Sequence, residues 1–137
     1  MGFFNNKNTN MKLQNILQDV ADFQNATDQV VNLEPTNLKF NEVNLRYELM
    51  KEENEEYFLS GRKNDLVEVL DACTDKMYIL LGTINSHGLG GVFEEAFKRV
   101  HANNMTKVGA DGKVVRNGSG KIMKPKGFKA VDLSDLV

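Results

Sequence analysis

Residues 65–82 read DLVEVLDACTDKMYILLG, and this stretch decides the fold. Its apolar residues surround the helix axis almost completely, which is typical of a central, buried helix. We predict a helix from Asn64 or Asp65 to Leu81, closed by Gly82. Cys73, the single cysteine, lies in the apolar run and is predicted to be a buried small side chain rather than a reactive thiol.

Three acidic residues interrupt this apolar helix. Glu68, Asp71 and Asp75 are spaced by three and four residues, so they share one narrow stripe. Burying a carboxylate costs several kcal/mol unless a positive charge compensates it. Lys76 lies only at the border of the stripe, so a further cation is needed.

A second acidic stripe precedes it, on a helix predicted from about Asn41 to Leu59 and ending at Gly61. Within Glu52-Glu53-Asn54-Glu55-Glu56, Glu53 and Glu56 fall on the apolar side of the helix and Glu52 at its edge. Glu48 and Glu55 point the other way. Arg46, two turns before Glu53, is expected to offset one acid at most.

Two facing acidic stripes indicate a hard divalent cation. Carboxylate oxygens suit Mg²⁺, with Mn²⁺ as an alternative, and Mg²⁺ often shares its ligands with a substrate phosphate. The absence of clustered His and Cys argues against zinc. A solvated acidic face or a structural ion-pair network remains the alternative interpretation.

The rest of the chain completes an all-α architecture. Helices are predicted from Lys12 to about Ala26 and from about Val92 to Thr106. Short β-like pieces around Val114-Val115 and Ile122-Met123 follow. The prediction is an antiparallel bundle of four to five helices with a basic C-terminal arm or ribbon, completed by oligomerisation to a homodimer or homotetramer.

Three segments are expected along the 137 residues: a flexible N-terminus (1–10), a helical catalytic domain (11–107) and a basic arm packed on it (108–137). The net charge of −2 gives no case for nucleic-acid binding. No apolar stretch is long enough for a membrane span or a signal peptide, so a cytoplasmic protein is expected.

Four segments in order resemble the all-α nucleoside triphosphate (NTP) pyrophosphohydrolases, which include MazG-like proteins, dimeric dUTPases and phosphoribosyl-ATP pyrophosphohydrolase. Glu52–Glu56 matches the EExxE element of this family, and Glu68-Val69-Leu70-Asp71 fits its ExxD element. Asp71–Tyr78 resembles the related DxxxD variant of short phage and bacterial members, so the register stays open between Glu68/Asp71 and Asp71/Asp75. Phe97–Lys107 and Gly120–Pro125 are similar to the family's F-x-x-V-H-x-x-N-M-x-K segment and the basic arm after it.

The resemblance implies hydrolysis of a (deoxy)nucleoside triphosphate to the monophosphate and pyrophosphate, in nucleotide-pool control or house-cleaning in a bacterial or phage-infected cell. It implies that Glu53, Glu56, Asp71 and Asp75 hold Mg²⁺. Glu52 or Glu68 would orient or deprotonate the attacking water. The implied substrate contacts are Asn104, Lys107, Lys121, Lys124 and His101.

Two other classes of protein fit the same sequence. One is a catalytically inactive helical module that binds a nucleotide or a metal ion. The other is a plain helical dimerisation protein whose acids are solvated, and whose stability would not respond to Mg²⁺.

Overall fold

The computed structural model describes residues 11–137, and the all-α prediction is confirmed there. Helix α1 spans Leu13–Ala26, α2 Phe40–Arg62, α3 Leu66–Ser86 and α4 Phe93–Met105, and a 3₁₀ turn follows at Ser134–Leu136. The predicted β-like pieces reduce to a single antiparallel bridge between Arg116 and Ile122. The flexible start predicted for residues 1–10 lies outside the described residues.

The chain divides into two compact units, the first ending at Gly90 and the second running from Gly91 to Val137. The first unit holds α1, α2 and α3, and the second holds α4 and the C-terminal segment. Within residues 11–137, every helix is too short or too polar to serve as a membrane span.

Helices α2 and α3 form an antiparallel hairpin, because contacts between them pair early residues of one with late residues of the other. Arg46 bonds to Ile79 and Thr83, whereas Asn54 bonds to Lys76. This pairing places the middle of α2 opposite the first half of α3.

The turn of the hairpin is set by Asn64 and Asp65. Asn64 takes the left-handed conformation at φ 55°, which asparagine tolerates better than most residues. The Asp65 side chain caps α3 by accepting from the Glu68 amide at 3.1 Å. Helix α2 therefore runs through Gly61, and the prediction that it ends there was wrong.

Gly82 lies inside α3, so the prediction that it closes the helix was also wrong. A Cβ atom at Gly82 would lie 2.6 Å from Nη2 of Arg46 and 3.2 Å from Nε2 of Gln24. The glycine thus gives room for two buried polar side chains to cross α3. The helix ends instead at Ser86, and Gly88 takes the positive φ of 68°.

The core of the first unit is partly polar. Gln24 of α1 donates to the carbonyl of Gly82 at 2.9 Å, and Asn85 donates to the carbonyl of Leu17 at the same distance. Leu17 and Val20 pack beside them, each only 3% exposed. No buried side-chain nitrogen or oxygen within residues 11–137 lacks a hydrogen-bond partner, so this polar core is fully satisfied.

The first turns of α3 are exposed, contrary to the prediction of a helix buried along its length. Leu66 and Val67 are each 79% exposed and Leu70 is 68% exposed. Helix α1 has only 14 residues, and its buried positions meet the second half of α3, so α1 does not cover the hairpin tip. Cys73 is also exposed, and the prediction of a buried thiol was wrong.

In the second unit, α4 is tied to the C-terminal turn by Arg99. Its guanidinium donates to both carboxylate oxygens of Asp135, at 2.6 and 2.9 Å, and also to Glu95 one turn earlier. Because the pairing with Asp135 is bidentate, it fixes direction as well as distance. The C-terminal segment is therefore held to the start of its own unit.

The crowding at Gly82 predicts a sharp contrast between two helical glycines. Gly82→Ala should lower the free energy of unfolding by about 1–3 kcal/mol, because the new methyl group displaces Arg46 and Gln24. Gly61→Ala, where a Cβ meets nothing within 4 Å, should raise it by about 0.5–1 kcal/mol. Urea unfolding of both variants checks this, and equal effects would contradict the close approach at Gly82.

Candidate active site

An acidic cavity of about 270 Å³ lies between the middle of α2 and the first half of α3. Its lining contains every acid predicted to bind metal or activate water. The lining residues are Glu52, Glu53, Glu56, Ser60, Glu68, Asp71, Ala72 and Asp75. The antiparallel hairpin thus brings both acidic stripes to one place.

Helical spacing explains which glutamates reach the cavity. Glu53 and Glu56 are three residues apart and share a face of α2, whereas Glu48 and Glu55 do not line the cavity. Glu53 is half-buried, and the other five acids are exposed. The expected burial of Glu56, Glu68, Asp71 and Asp75 was wrong, because α1 does not extend over this part of α3, whereas Glu52 was placed only at the edge of the face.

No protein cation neutralises these acids in the described part of the chain. The salt bridges found across residues 11–137 all belong to Arg99. Nζ of Lys76 donates a hydrogen bond to Oδ1 of Asn54 at 2.7 Å. Arg46 bonds only to neutral oxygens and so offsets none of the acids, which is within the predicted limit of one at most.

The Glu53 carboxyl is partly shielded from water and lies near several negative charges. Burial raises the pKa of the Glu53 carboxyl, and the nearby charges of Asp75, Glu52, Glu56 and Asp71 raise it further. Each cause disfavours the ionised form of the side chain. A bound cation would act in the opposite direction and favour ionisation of all these acids.

The donor set of the cavity fits a hard divalent ion, since it offers carboxylate and hydroxyl oxygens and neither imidazole nor thiolate. Between residues 11 and 137, no three His, Cys, Asp or Glu side chains already converge on one point as metal ligands. The six carboxylates therefore share a cavity without meeting. Side-chain rotations would have to bring their oxygens together around an ion.

A second cavity, of about 470 Å³, opens between α1 and α3 and is mainly apolar. Its lining residues are Ile16, Asp19, Val20, Cys73, Thr74, Met77, Tyr78 and Leu81. Ala72 and Asp75 of α3 line the acidic cavity, whereas Cys73 and Thr74 between them line the apolar one, so both cavities flank the same turn of one helix. This volume lies within the range of small-molecule binding sites.

The predicted substrate contacts all lie in the second unit. Lys107 Nζ donates to Oδ1 of Asn104 at 3.1 Å. The ammonium groups of Lys107 and Lys124 lie 5.5 and 5.8 Å from the centre of the Phe128 ring. Among residues 91–137, no side-chain hydrogen bond joins His101 or Lys121 to this group, so the structure gathers three of the five predicted residues.

Sequence reasoning missed several residues around these sites. Ser60 follows Glu56 by four residues, and this helical spacing could have placed it in the acidic cavity. Phe128 follows a Pro-Lys-Gly turn in which its amide bonds to the carbonyl of Pro125 at 3.0 Å. The turn could have been predicted from the sequence, but the approach of two lysines to the Phe128 ring could not.

Comparison with known protein families gives one match. The sequence model described as Phosphoribosyl-ATP pyrophosphohydrolase matches residues 20–104. The match covers more than half of the chain and includes both acidic stripes. No curated protein matches the chain significantly.

The raised pKa of Glu53 predicts a pH-dependent difference between two variants in metal-free buffer. The folded state binds the Glu53 proton more tightly than the unfolded state, so Glu53 destabilises the fold at pH 7 and less so as pH falls through its raised pKa. Glu53→Gln should therefore melt at a higher temperature than the wild type at pH 7. The gap should close as pH falls towards the ordinary value of 4.5.

Glu55→Gln, on the opposite side of α2, is the matched control and should show no such pH-dependent gap. Thermal unfolding between pH 4.5 and 7.5 makes the comparison. A lower melting temperature for Glu53→Gln at pH 7 would show that the carboxylate is favourably compensated.

Proposed function

The chain belongs to the phosphoribosyl-ATP pyrophosphohydrolase family of the MazG-like all-α NTP pyrophosphohydrolase superfamily, and from this premise we propose that it hydrolyses a (deoxy)nucleoside triphosphate. The products would be the nucleoside monophosphate and pyrophosphate. Family membership itself identifies a pyrophosphohydrolase that acts on a nucleotide, in a class of enzymes that typically uses divalent metals. The proposal adds the triphosphate substrate, the choice of Mg²⁺ and a role in nucleotide-pool control.

The observation that carries the proposal is the meeting of six carboxylates in one cavity without a protein cation. Like charges at this density repel one another and also repel a phosphate chain. A divalent ion reverses both effects, because it attracts the carboxylates and the phosphate oxygens together. The acidic cavity is therefore the expected place for a metal-bound polyphosphate.

Within the cavity we assign Glu53, Glu56, Asp71 and Asp75 as metal ligands. When bound, Mg²⁺ supplies charge neutralisation on the phosphates and lowers the pKa of a coordinated water. Glu52 or Glu68 would accept the proton of the attacking water. Glu68, Asp71 and Asp75 all line the cavity, so its lining is compatible with both registers of the α3 motif, Glu68/Asp71 and Asp71/Asp75.

The remaining parts of the substrate need other surfaces. We propose the apolar cavity for the base, since Met77 and Tyr78 offer polarisable and aromatic surface next to Thr74 and Asp19. The resemblance assigns substrate contacts to His101, Asn104, Lys107, Lys121 and Lys124. The grouping of Lys107 and Lys124 around Phe128 supports a role in binding phosphate.

Pyrophosphate release from a panel of ribo- and deoxyribonucleoside triphosphates tests the proposal. We expect metal-dependent formation of monophosphate that EDTA abolishes. Glu53→Gln should reduce kcat by about 100-fold or more, because a ligand to the metal is lost. Glu55→Gln should stay within about twofold of the wild type, since that carboxylate does not line the cavity.

Two outcomes would count against this function. Mg²⁺ binding without turnover of any triphosphate would favour the inactive nucleotide- or metal-binding module. No effect of Mg²⁺ on stability would favour a plain helical dimerisation protein with solvated acids.

We also propose that the chain assembles as a homodimer or homotetramer. The apolar residues Leu66, Val67 and Leu70 lie together on the first turns of α3 and are mostly exposed in the single chain. Phe58 and Leu59, on the adjoining end of α2, are about half exposed. An apolar patch of this kind on a small helical unit favours self-association.

Light scattering after size-exclusion chromatography tests the assembly. Wild-type protein should elute as a dimer or tetramer, and Val67→Glu should shift it towards monomer because a charge at the contact must be desolvated. Lys63→Glu, a charge change at the polar turn, is the control and should leave the mass unchanged. A monomeric wild type would contradict the assembly.

A further inference from the structure

Arg46 is a buried arginine without an acidic partner. It is only 4% exposed, and its burial lowers the pKa of the guanidinium. Nε donates to Oγ1 of Thr83 at 3.0 Å, Nη1 to Oε1 of Gln29 at 2.9 Å and Nη2 to the carbonyl of Ile79 at 2.8 Å. A charge held by three neutral acceptors contributes little net stability. Net stabilisation alone therefore does not account for a buried arginine at this position.

The acceptors of Arg46 link it to the acidic cavity along both helices. Glu53 follows Arg46 by seven residues, about two turns further along α2 and on nearly the same face. Asp75 precedes Ile79 by four residues, about one turn back along α3. Glu53 and Asp75 therefore both lie on the side of the Arg46 bonds that is nearer the hairpin turn.

The carboxylates cannot set this alignment themselves, because they repel one another. Ser60 and Ala72, both 3% exposed, line the acidic cavity together with the carboxylates. Their small size permits close packing, but Ser60 Oγ donates to the Glu56 carbonyl of its own helix. The Lys76–Asn54 bond does cross between the helices, but it is exposed. Arg46 supplies the buried, directional constraint on register.

We propose that Arg46 is a positioning residue that sets the register of α2 against α3 and so brings Glu53 and Glu56 opposite Asp71 and Asp75. A slip of one residue would shift one stripe by about 1.5 Å and turn it by about 100°. Mg²⁺ requires near-ideal octahedral geometry and would not tolerate such a slip. The inference rests on the metal site of the proposed function.

The guanidinium fork is essential to this role. Its three bonds leave from three different nitrogens in one plane, and Gly82 leaves the space through which Nη2 passes. A lysine ammonium at the same position keeps the charge but cannot donate hydrogen bonds to three acceptors in one plane. Arg46→Lys therefore separates the charge of the residue from its geometry.

The test measures Mn²⁺ binding to metal-free protein by electron paramagnetic resonance, beside urea unfolding of the same samples. Arg46→Lys should stay folded and bind Mn²⁺ at least about ten-fold more weakly. Thr83→Val, which removes one acceptor, should weaken binding in the same direction. Thr83→Ser keeps the hydroxyl and should restore wild-type affinity. This Thr83 pair decides the question even if Arg46→Lys does not fold.

Gln24→Met is the matched control for lost stability. Gln24 is buried in the same polar core and contacts Gly82, Ser86 and Asn85 of α3, but its bonds join α1 to α3 and none reaches α2. The variant should unfold at lower urea and keep its Mn²⁺ affinity. If it weakens Mn²⁺ as much as Arg46→Lys does, Arg46 has only a structural role.

Wild-type Mn²⁺ affinity in folded Arg46→Lys and in Thr83→Val would overturn the inference. A wild-type protein that binds no Mn²⁺ would instead overturn the metal site itself, and with it any positioning towards that site. The two failures are distinguishable, because only the second appears in the wild-type protein.

Discussion

Two helices with facing carboxylates can pack closely only if something other than charge holds them together. In this protein the constraint is the polar lock between α2 and α3, in which the Arg46 guanidinium crosses Gly82 and bonds to Ile79 and Thr83. The lock lies towards the open end of the hairpin, away from its turn, where α1 covers α3. The acidic stripe lies beyond that cover, and among residues 11–137 no ion pair offsets its repulsion. Stability and the candidate chemistry thus occupy different turns of the same helix pair.

Helix α3 lines both the acidic and the apolar cavity of the first unit. One side contributes Glu68, Asp71 and Asp75 to the acidic cavity, and another contributes Met77 and Tyr78 to the apolar cavity. A polyphosphate and a base have opposite requirements, one for charge and the other for apolar surface. A single helix meets both, because successive residues turn by about 100° and face different neighbours. In the proposed function, the phosphates and the base would therefore lie on different faces of the same turns of α3.

The helical repeat was sufficient to predict the acidic site. The spacing of Glu53 and Glu56, and of Glu68, Asp71 and Asp75, places them on faces that an antiparallel hairpin must bring together. The roles of Gly82 and Asn64 were not predictable in this way. From the sequence alone, a glycine after an apolar run predicts the end of a helix. Only the tertiary approach of Arg46 and Gln24 shows that Gly82 provides space for their side chains. The exposure of Leu66 and Val67 depends on the length of α1, which a local pattern on α3 does not contain.

The central claim is that a divalent metal ion binds between the two acidic stripes, and anomalous diffraction from crystals grown with Mn²⁺ tests it most directly. The account predicts an anomalous peak in the acidic cavity, with oxygen atoms of Glu53 or Glu56 on one side and of Asp71 or Asp75 on the other. Metal–oxygen distances should be close to about 2.1–2.2 Å. A well-ordered cavity without a peak, or a peak only elsewhere on the chain, would contradict the account.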